Sequence, residues 1–251
     1  MYAFLSFLIL NLAIFLHELG HAVKMKKYGI MPKKLSIGFK LWKLPTLYKF
    51  TLLGIPCELN MIPLGGYVEA PEETEIPHNE ACEIFGQGII VNFCLASVFS
   101  FFYLLHLGIP FTLINVSMMI FPFLLLAFPQ FSSRFVLPVL GTLFSAALVA
   151  VIVKSSNSTE TLGGPIEVVH EIIKTNDYLK DVLFFAININ LSLGLLNAAP
   201  IYPLDGGQII NSYFKKYNLK KASTFFRPAT TIFLLCFFGV LIIKDIVKLL
   251  F

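Results

Sequence analysis

Two imidazoles and a carboxylate fall within five positions at His17-Glu18-Leu19-Gly20-His21. On a helix, residues four apart share a face at about 6 Å, so His17 and His21 can reach one metal ion. Glu18 points in a neighbouring direction and can address a metal-bound water. The spacing is the H-E-x-x-H pattern of zinc-assisted hydrolysis. A catalytic zinc takes three protein ligands and leaves a position for water, so a third ligand must come from elsewhere. The leading candidate is Asp205, in Asn197-Ala198-Ala199-Pro200-Ile201-Tyr202-Pro203-Leu204-Asp205-Gly206-Gly207. Pro200 and Pro203 break a helix before it, and Gly206-Gly207 permit an irregular backbone. Alone, Asp205 reads equally as a helix N-cap or turn residue. A carboxylate near a membrane boundary, however, is costly unless paired or metal-bound. Asn197, eight residues earlier, can donate to a tetrahedral oxyanion or to substrate backbone, or make an interhelical hydrogen bond. His78, His106 and His170 have no partner at ligand spacing and read as loop or interface histidines.

The elements that must position these residues are membrane spans. Residues 1–16 carry no charge, and the chain of 251 residues is 57% hydrophobic but only 14% charged. A soluble domain is about a quarter charged, so this is an integral membrane protein. The sequence predicts a single domain over residues 1–251, an α-helical polytopic fold with about six transmembrane helices. They fall near 3–22, 89–107, 111–128, 135–153, 183–200 and 229–250. Pro110, Pro122, Pro129 and Pro138 punctuate the third and fourth. No cleavable leader is expected, since the start lacks a basic stretch. Cys57, Cys82, Cys94 and Cys236 lack C-x-x-C spacing and read as buried small hydrophobes.

Charge sets an expected topology. Lys24, Lys26, Lys27, Lys33 and Lys34 follow the first span, and Arg134 lies between the third and fourth. Lys215, Lys216, Lys220, Lys221 and Arg227 fall in the loop at about 201–228. The loop at about 154–182 is acidic. The positive-inside rule puts the ends after spans one, three and five in the cytoplasm and, with six spans, the N-terminus outside. Residues 35–69 differ: short apolar runs at Leu35–Phe39 and Tyr48–Leu53, with Gly38, Gly54, Gly65 and Gly66, predict β-hairpins lying against the membrane. Residues 69–83, with Glu69, Glu72, Glu73, Glu75, Glu80 and Glu83, predict an exposed connector.

These motifs resemble the site-2 protease family of intramembrane zinc metalloproteases. His17–His21 resembles its first motif, and Asn197–Gly207 its N-x-x-P-x-x-P-L-D-G-G motif. Ile62–Val68 is similar to its membrane-associated β-loop. Gly88–Phe93 is similar to its Gly-Pro-x-x-Asn-Phe helix start, with Ile89 in place of proline, and Leu162–Ile166 to a Gly-Pro motif. The resemblance implies one Zn2+ per chain held by His17, His21 and Asp205, with Glu18 as acid and base. It implies cleavage within or near the transmembrane segment of a membrane protein or peptide. Gly65, Gly66 and Tyr67 would present that substrate as an added strand. It further implies a multi-pass protein of a bacterial plasma membrane, with a cavity open to the cytoplasm and the active site near that side. The partners are a membrane substrate and the bilayer, not nucleic acid, and no feature specifies an oligomeric state. The apolar interval 108–160 cannot hold a PDZ domain, so a minimal member is expected. The alternative is a non-catalytic substrate-binding protein or a metal transporter. Retention of Glu18 and all three ligands opposes the first. The near absence of ionisable residues from spans two to four opposes the second.

Overall fold

A computed structural model describes residues 2–40, 45–72, 74–127 and 178–250. The chain order is α1 (Tyr2–Lys27), β1 (Lys34–Phe39), β2 (Thr46–Leu52), β3 (Ile55–Asn60), β4 (Ile62–Glu69), α2 (His78–His106), α3 (Leu113–Ala127), α4 (Tyr178–Ala198), α5 (Asp205–Lys216) and α6 (Lys220–Leu250). Among the described residues, four helices are long and apolar enough to cross a membrane: Phe4–Lys27, His78–His106, Tyr178–Ala198 and Lys220–Val240. A bilayer core is about 30 Å thick, which needs about 20 helical residues. The 15 residues of α3 fall short of that. The expected span at 135–153, Arg134, the 154–182 loop up to residue 177, His170 and the Leu162–Ile166 motif lie outside the described residues.

The spanning helices pack with defined polarity. Opposite the descending residues Ala198, Gly194 and Asn190 of α4 stand Ile89, Phe93 and Asn92 of α2, so α2 and α4 run antiparallel. On α1, His17 meets Asn92 while Lys24 meets Glu83, which makes that pair antiparallel too. The C-termini of α1 and α4 and the N-terminus of α2 therefore share one side. On α6, Leu235 and Val240 are mostly exposed, as a lipid-facing helix requires.

The predicted β region is present, but its pairing is not a run of hairpins. The four strands form one mixed sheet in the order β2-β3-β1-β4. Only β2 and β3 make a tight hairpin, turning at Leu53 (φ 54°) and Gly54 (φ 77°). β1 runs parallel to β3 and antiparallel to β4. Where β1 pairs with β4, the register shifts between Ile37 and Phe39, and Gly38 and Gly65 take positive φ there. One face of the sheet, with Leu35, Ile37, Ile55 and Cys57, packs on Phe15, Leu19 and Ala22 of α1. The sheet thus sits beside the first span, within a turn or two of His17 and His21.

The acidic connector is shorter than expected. Glu80 and Glu83 are already helical, because α2 begins at His78 rather than near Ile89. Glu83 is buried and pairs with buried Lys24 at 2.8 Å. A Glu- and Pro-rich window had masked a helix end whose carboxylate has a partner on α1. Breaking a buried pair strands a charge, so Lys24→Met should cost about 3–5 kcal/mol. Adding Glu83→Leu should recover most of that loss, read as unfolding in detergent. Of the four free cysteines, Cys57 and Cys82 are buried as expected, but Cys236 is exposed. It lies on α6, one of the helices apolar enough to cross a membrane, where an apolar thiol is tolerated on an exposed face.

Candidate metal centre

His17 and His21 lie on successive turns of α1 and are both buried. Each ring is anchored to α2 through Nδ1. The Nδ1–H of His17 donates to Asn92 Oδ1 at 2.5 Å, and that of His21 to the Ile84 carbonyl at 2.7 Å. Both acceptors lack a hydrogen, so both rings carry their proton on Nδ1 and offer Nε2 as a lone pair. Ile84, Gly88 and Asn92 are spaced by four and form one stripe of α2. Its middle residue makes room for the rings: a Cβ on Gly88 would lie 2.5 Å from His21 Nε2 and 2.8 Å from His17 Cε1.

Asp205 arrives from the far end of the sequence. The helix α4 ends at Ala198, and a turn over residues 199–204 delivers Asp205 as the first residue of α5. That turn is latched to α6. Thr230 Oγ1 accepts from Tyr202 N at 3.1 Å, Thr231 Oγ1 donates to Tyr202 O at 3.2 Å, and Arg227 stacks on the Tyr202 ring. Gly206 and Gly207 do not serve an irregular backbone. They are helical, and a Cβ on either would lie 2.4 Å or less from backbone atoms of Ala198, Ala199 or Ile201. They allow α5 to press against the end of α4.

The three side chains converge. Asp205 Oδ2 is 3.0 Å from His17 Nε2 and 3.3 Å from His21 Nε2, and the two Nε2 atoms are 3.1 Å apart. Ligands at about 2.0–2.1 Å around a tetrahedral zinc lie about 3.3–3.4 Å apart, close to this triangle. With both ring protons committed to α2, three lone-pair donors face one another. Asp205 Oδ2 is buried without a hydrogen-bond donor. A cation at the centre of the triangle would give this buried carboxylate its partner without spending the ring lone pairs on protons. The donor set, two imidazoles and a carboxylate, suits zinc.

Glu18 is half-buried between α1 and β4. A Cβ on Gly66 would come within 2.9 Å of its Cγ and 3.0 Å of Ile14 Cγ2, so the missing side chain lets β4 lie directly on this turn of α1. β4 is an edge strand, and its outer edge pairs with no strand among the described residues. Tyr67 leans under Lys34, whose Nζ is 5.6 Å from the ring centroid. Asn197 is half-buried and donates to Leu193 O at 3.0 Å on its own helix. His78 bonds Ser212 Oγ and stands apart from the triangle.

The sequence reading set Gly88 and Asn92 in one motif but missed the room Gly88 leaves for the rings, the Asn92 contact to His17, and the Arg227, Thr230 and Thr231 latch. Asn92 was signalled by that motif, and its partner Asn190 only by the cost of an amide in an apolar span, which needs company.

The family model described as peptidase family M50 matches residues 5–241. A Helicobacter pylori protein named a zinc metalloprotease is 36% identical over 115 residues, covering 38% of this chain and 31% of that protein. The membrane metalloprotease ARASP of Arabidopsis thaliana, a chloroplastic protein, is 30% identical over 116 residues, 41% of this chain and 25% of its own length. The regulator of sigma-E protease RseP of Escherichia coli is 29% identical over 122 residues, 42% and 26% respectively. The aligned stretches thus cover only 25% to 31% of these relatives.

Proposed function

This chain belongs to peptidase family M50, and from that membership we propose that it is a zinc-dependent intramembrane endopeptidase acting on a transmembrane protein or peptide. One observation carries the proposal: three buried side chains that can ligate a metal, at residues 17, 21 and 205, form a triangle of zinc size. His17, His21 and Asp205 would hold the ion. Zinc bound there supplies Lewis-acid activation of water and of the scissile carbonyl.

The remaining steps belong to the chain. Glu18 takes a proton from the attacking water and returns it to the leaving amine. The free edge of β4, at Gly65, Gly66 and Tyr67, pairs with an unwound stretch of substrate, which suits its place beside Glu18. Asn197, turned from Leu193 O toward the reaction, orients the substrate or the developing oxyanion. The basic residues around Lys24–Lys34 and Lys215–Arg227 support a cytoplasmic setting for the site side, and the N-terminus then lies outside. Six spans in all, the count expected from the sequence, is part of this reading. Processing of regulatory proteins, precursors or signal-peptide remnants falls within this reading.

The test is a tagged reporter with one transmembrane segment, coexpressed or reconstituted with the chain. Wild type should cleave it, a zinc chelator should stop cleavage, and added zinc should restore it. Asp205→Ala should abolish cleavage and lower bound zinc while the helices stay folded. Zinc affinity unchanged in Asp205→Ala, or cleavage that survives chelation, overturns the reading.

A further inference from the structure

Asn190 lies within the apolar helix α4 at 1% exposure, and its neighbour Asn92 on α2 at 0%. Neither touches the metal triangle, except that Asn92 accepts from His17. Their hydrogen bonds form a chain of single polarity. Asn190 Nδ2 donates to Ala186 O at 2.8 Å on its own helix, which turns its Oδ1 toward α2. That Oδ1 accepts from Asn92 Nδ2 at 3.1 Å. With its Nδ2 so engaged, Asn92 must direct Oδ1 at His17 Nδ1.

We propose that Asn190 is a positioning residue for His17, acting through Asn92 to hold the imidazole in the tautomer that offers Nε2 to the metal. The two ligand histidines differ in what they lean on. His21 donates to the Ile84 carbonyl, which is fixed by the backbone and cannot reverse. His17 donates to a side-chain amide, whose two ends have nearly the same shape. Rotated by half a turn, Asn92 would present NH2 to His17 Nδ1. The ring proton would then move to Nε2, where it blocks the ligand atom. Asn190, buried beside it, opposes that rotation by accepting from Asn92 Nδ2. Its own orientation traces back to the Ala186 carbonyl, so the tautomer of His17 is set by the backbone of α4, two helices away.

The proposal rests on the metal reading of the triangle, and the experiment separates the two. Zinc affinity is measured by chelator competition on the full chain in detergent. Asn190→Leu keeps the shape without the amide and should bind zinc about tenfold more weakly, whereas Asn190→Asp, which keeps the acceptor, should stay within about threefold of wild type. Asn92→Leu should lose at least as much as Asn190→Leu, and the double variant no more than Asn92→Leu alone. If the leucine variant does not fold, Asn190→Ser, too short to reach Asn92, is read in its place. Wild-type affinity in Asn190→Leu, equal losses in the leucine and aspartate variants, or additive losses overturn the relay.

A second measurement needs no metal. Nitrogen NMR of histidine-labelled, zinc-free protein should find His17 protonated at Nδ1 in wild type and Asn190→Asp, and mixed between the two nitrogens in Asn190→Leu. An unchanged tautomer in Asn190→Leu overturns the proposal. A wild-type chain that binds no zinc overturns the metal reading, and the tautomer populations then decide the relay on their own.

Discussion

Glu18→Gln is expected to lower cleavage of a transmembrane reporter by about 10³-fold while leaving bound zinc and folding unchanged. The substitution is close to isosteric. Its Cγ stays where Gly66 leaves space for it, so the contact between α1 and β4 survives. The three metal-facing atoms come from His17, His21 and Asp205, and none is altered. What disappears is a group that accepts a proton from water and releases it to an amine. An amide has neither capacity near neutral pH. The measurement pairs reporter cleavage with zinc content of the same purified sample. Cleavage within tenfold of wild type, with zinc retained, would remove Glu18 from the role. Glu18→Asp offers a graded control: it keeps the carboxyl but withdraws it by one methylene, so its rate should fall between the two.

The ligand pair and the distant aspartate were legible in the sequence for different reasons. His17 and His21 belong to one helix, where period alone fixes their common face. Asp205 was legible through cost: a carboxylate at the end of an apolar span invites a partner. The surroundings of the site were not legible, because they arise where helices distant in sequence meet. Asn92 and Asn190 are 98 residues apart, and the motif that holds Asn92 names neither of its partners. Gly88 reads as a glycine in a helix, and nothing local says that two imidazoles fill its missing side chain. Strand pairing failed for a similar reason. Local turn chemistry sees the β2–β3 reversal at Leu53-Gly54, but the parallel placement of β1 on β3 follows from packing both on α1. Glu83 was misread because a window rich in Glu and Pro averages over the one carboxylate that Lys24 draws into the interior.

That hidden role of Gly88 predicts an opposition between stability and metal binding. Alanine is preferred over glycine inside a helix by about 1 kcal/mol, so Gly88→Ala should favour α2 as an isolated element. Here the added methyl would stand 2.5 Å from two atoms of His21 and 2.8 Å from His17 Cε1. The rings cannot retreat cheaply. Each is tied through Nδ1 to α2 itself, one turn above and one turn below Gly88, at Asn92 and Ile84. To admit the methyl, the rings must give up those hydrogen bonds or α1 must shift from α2. Either change opens the 3.0–3.3 Å triangle with Asp205. Gly88→Ala should therefore retain its helices by circular dichroism, bind zinc at least about 100-fold more weakly than wild type, and lose reporter cleavage in proportion. Gly88→Val, with a larger side chain, should bind none. Wild-type zinc affinity in Gly88→Ala would mean that the two imidazoles do not pack on this stretch of α2, and the proposed centre would lose the wall against which it is built.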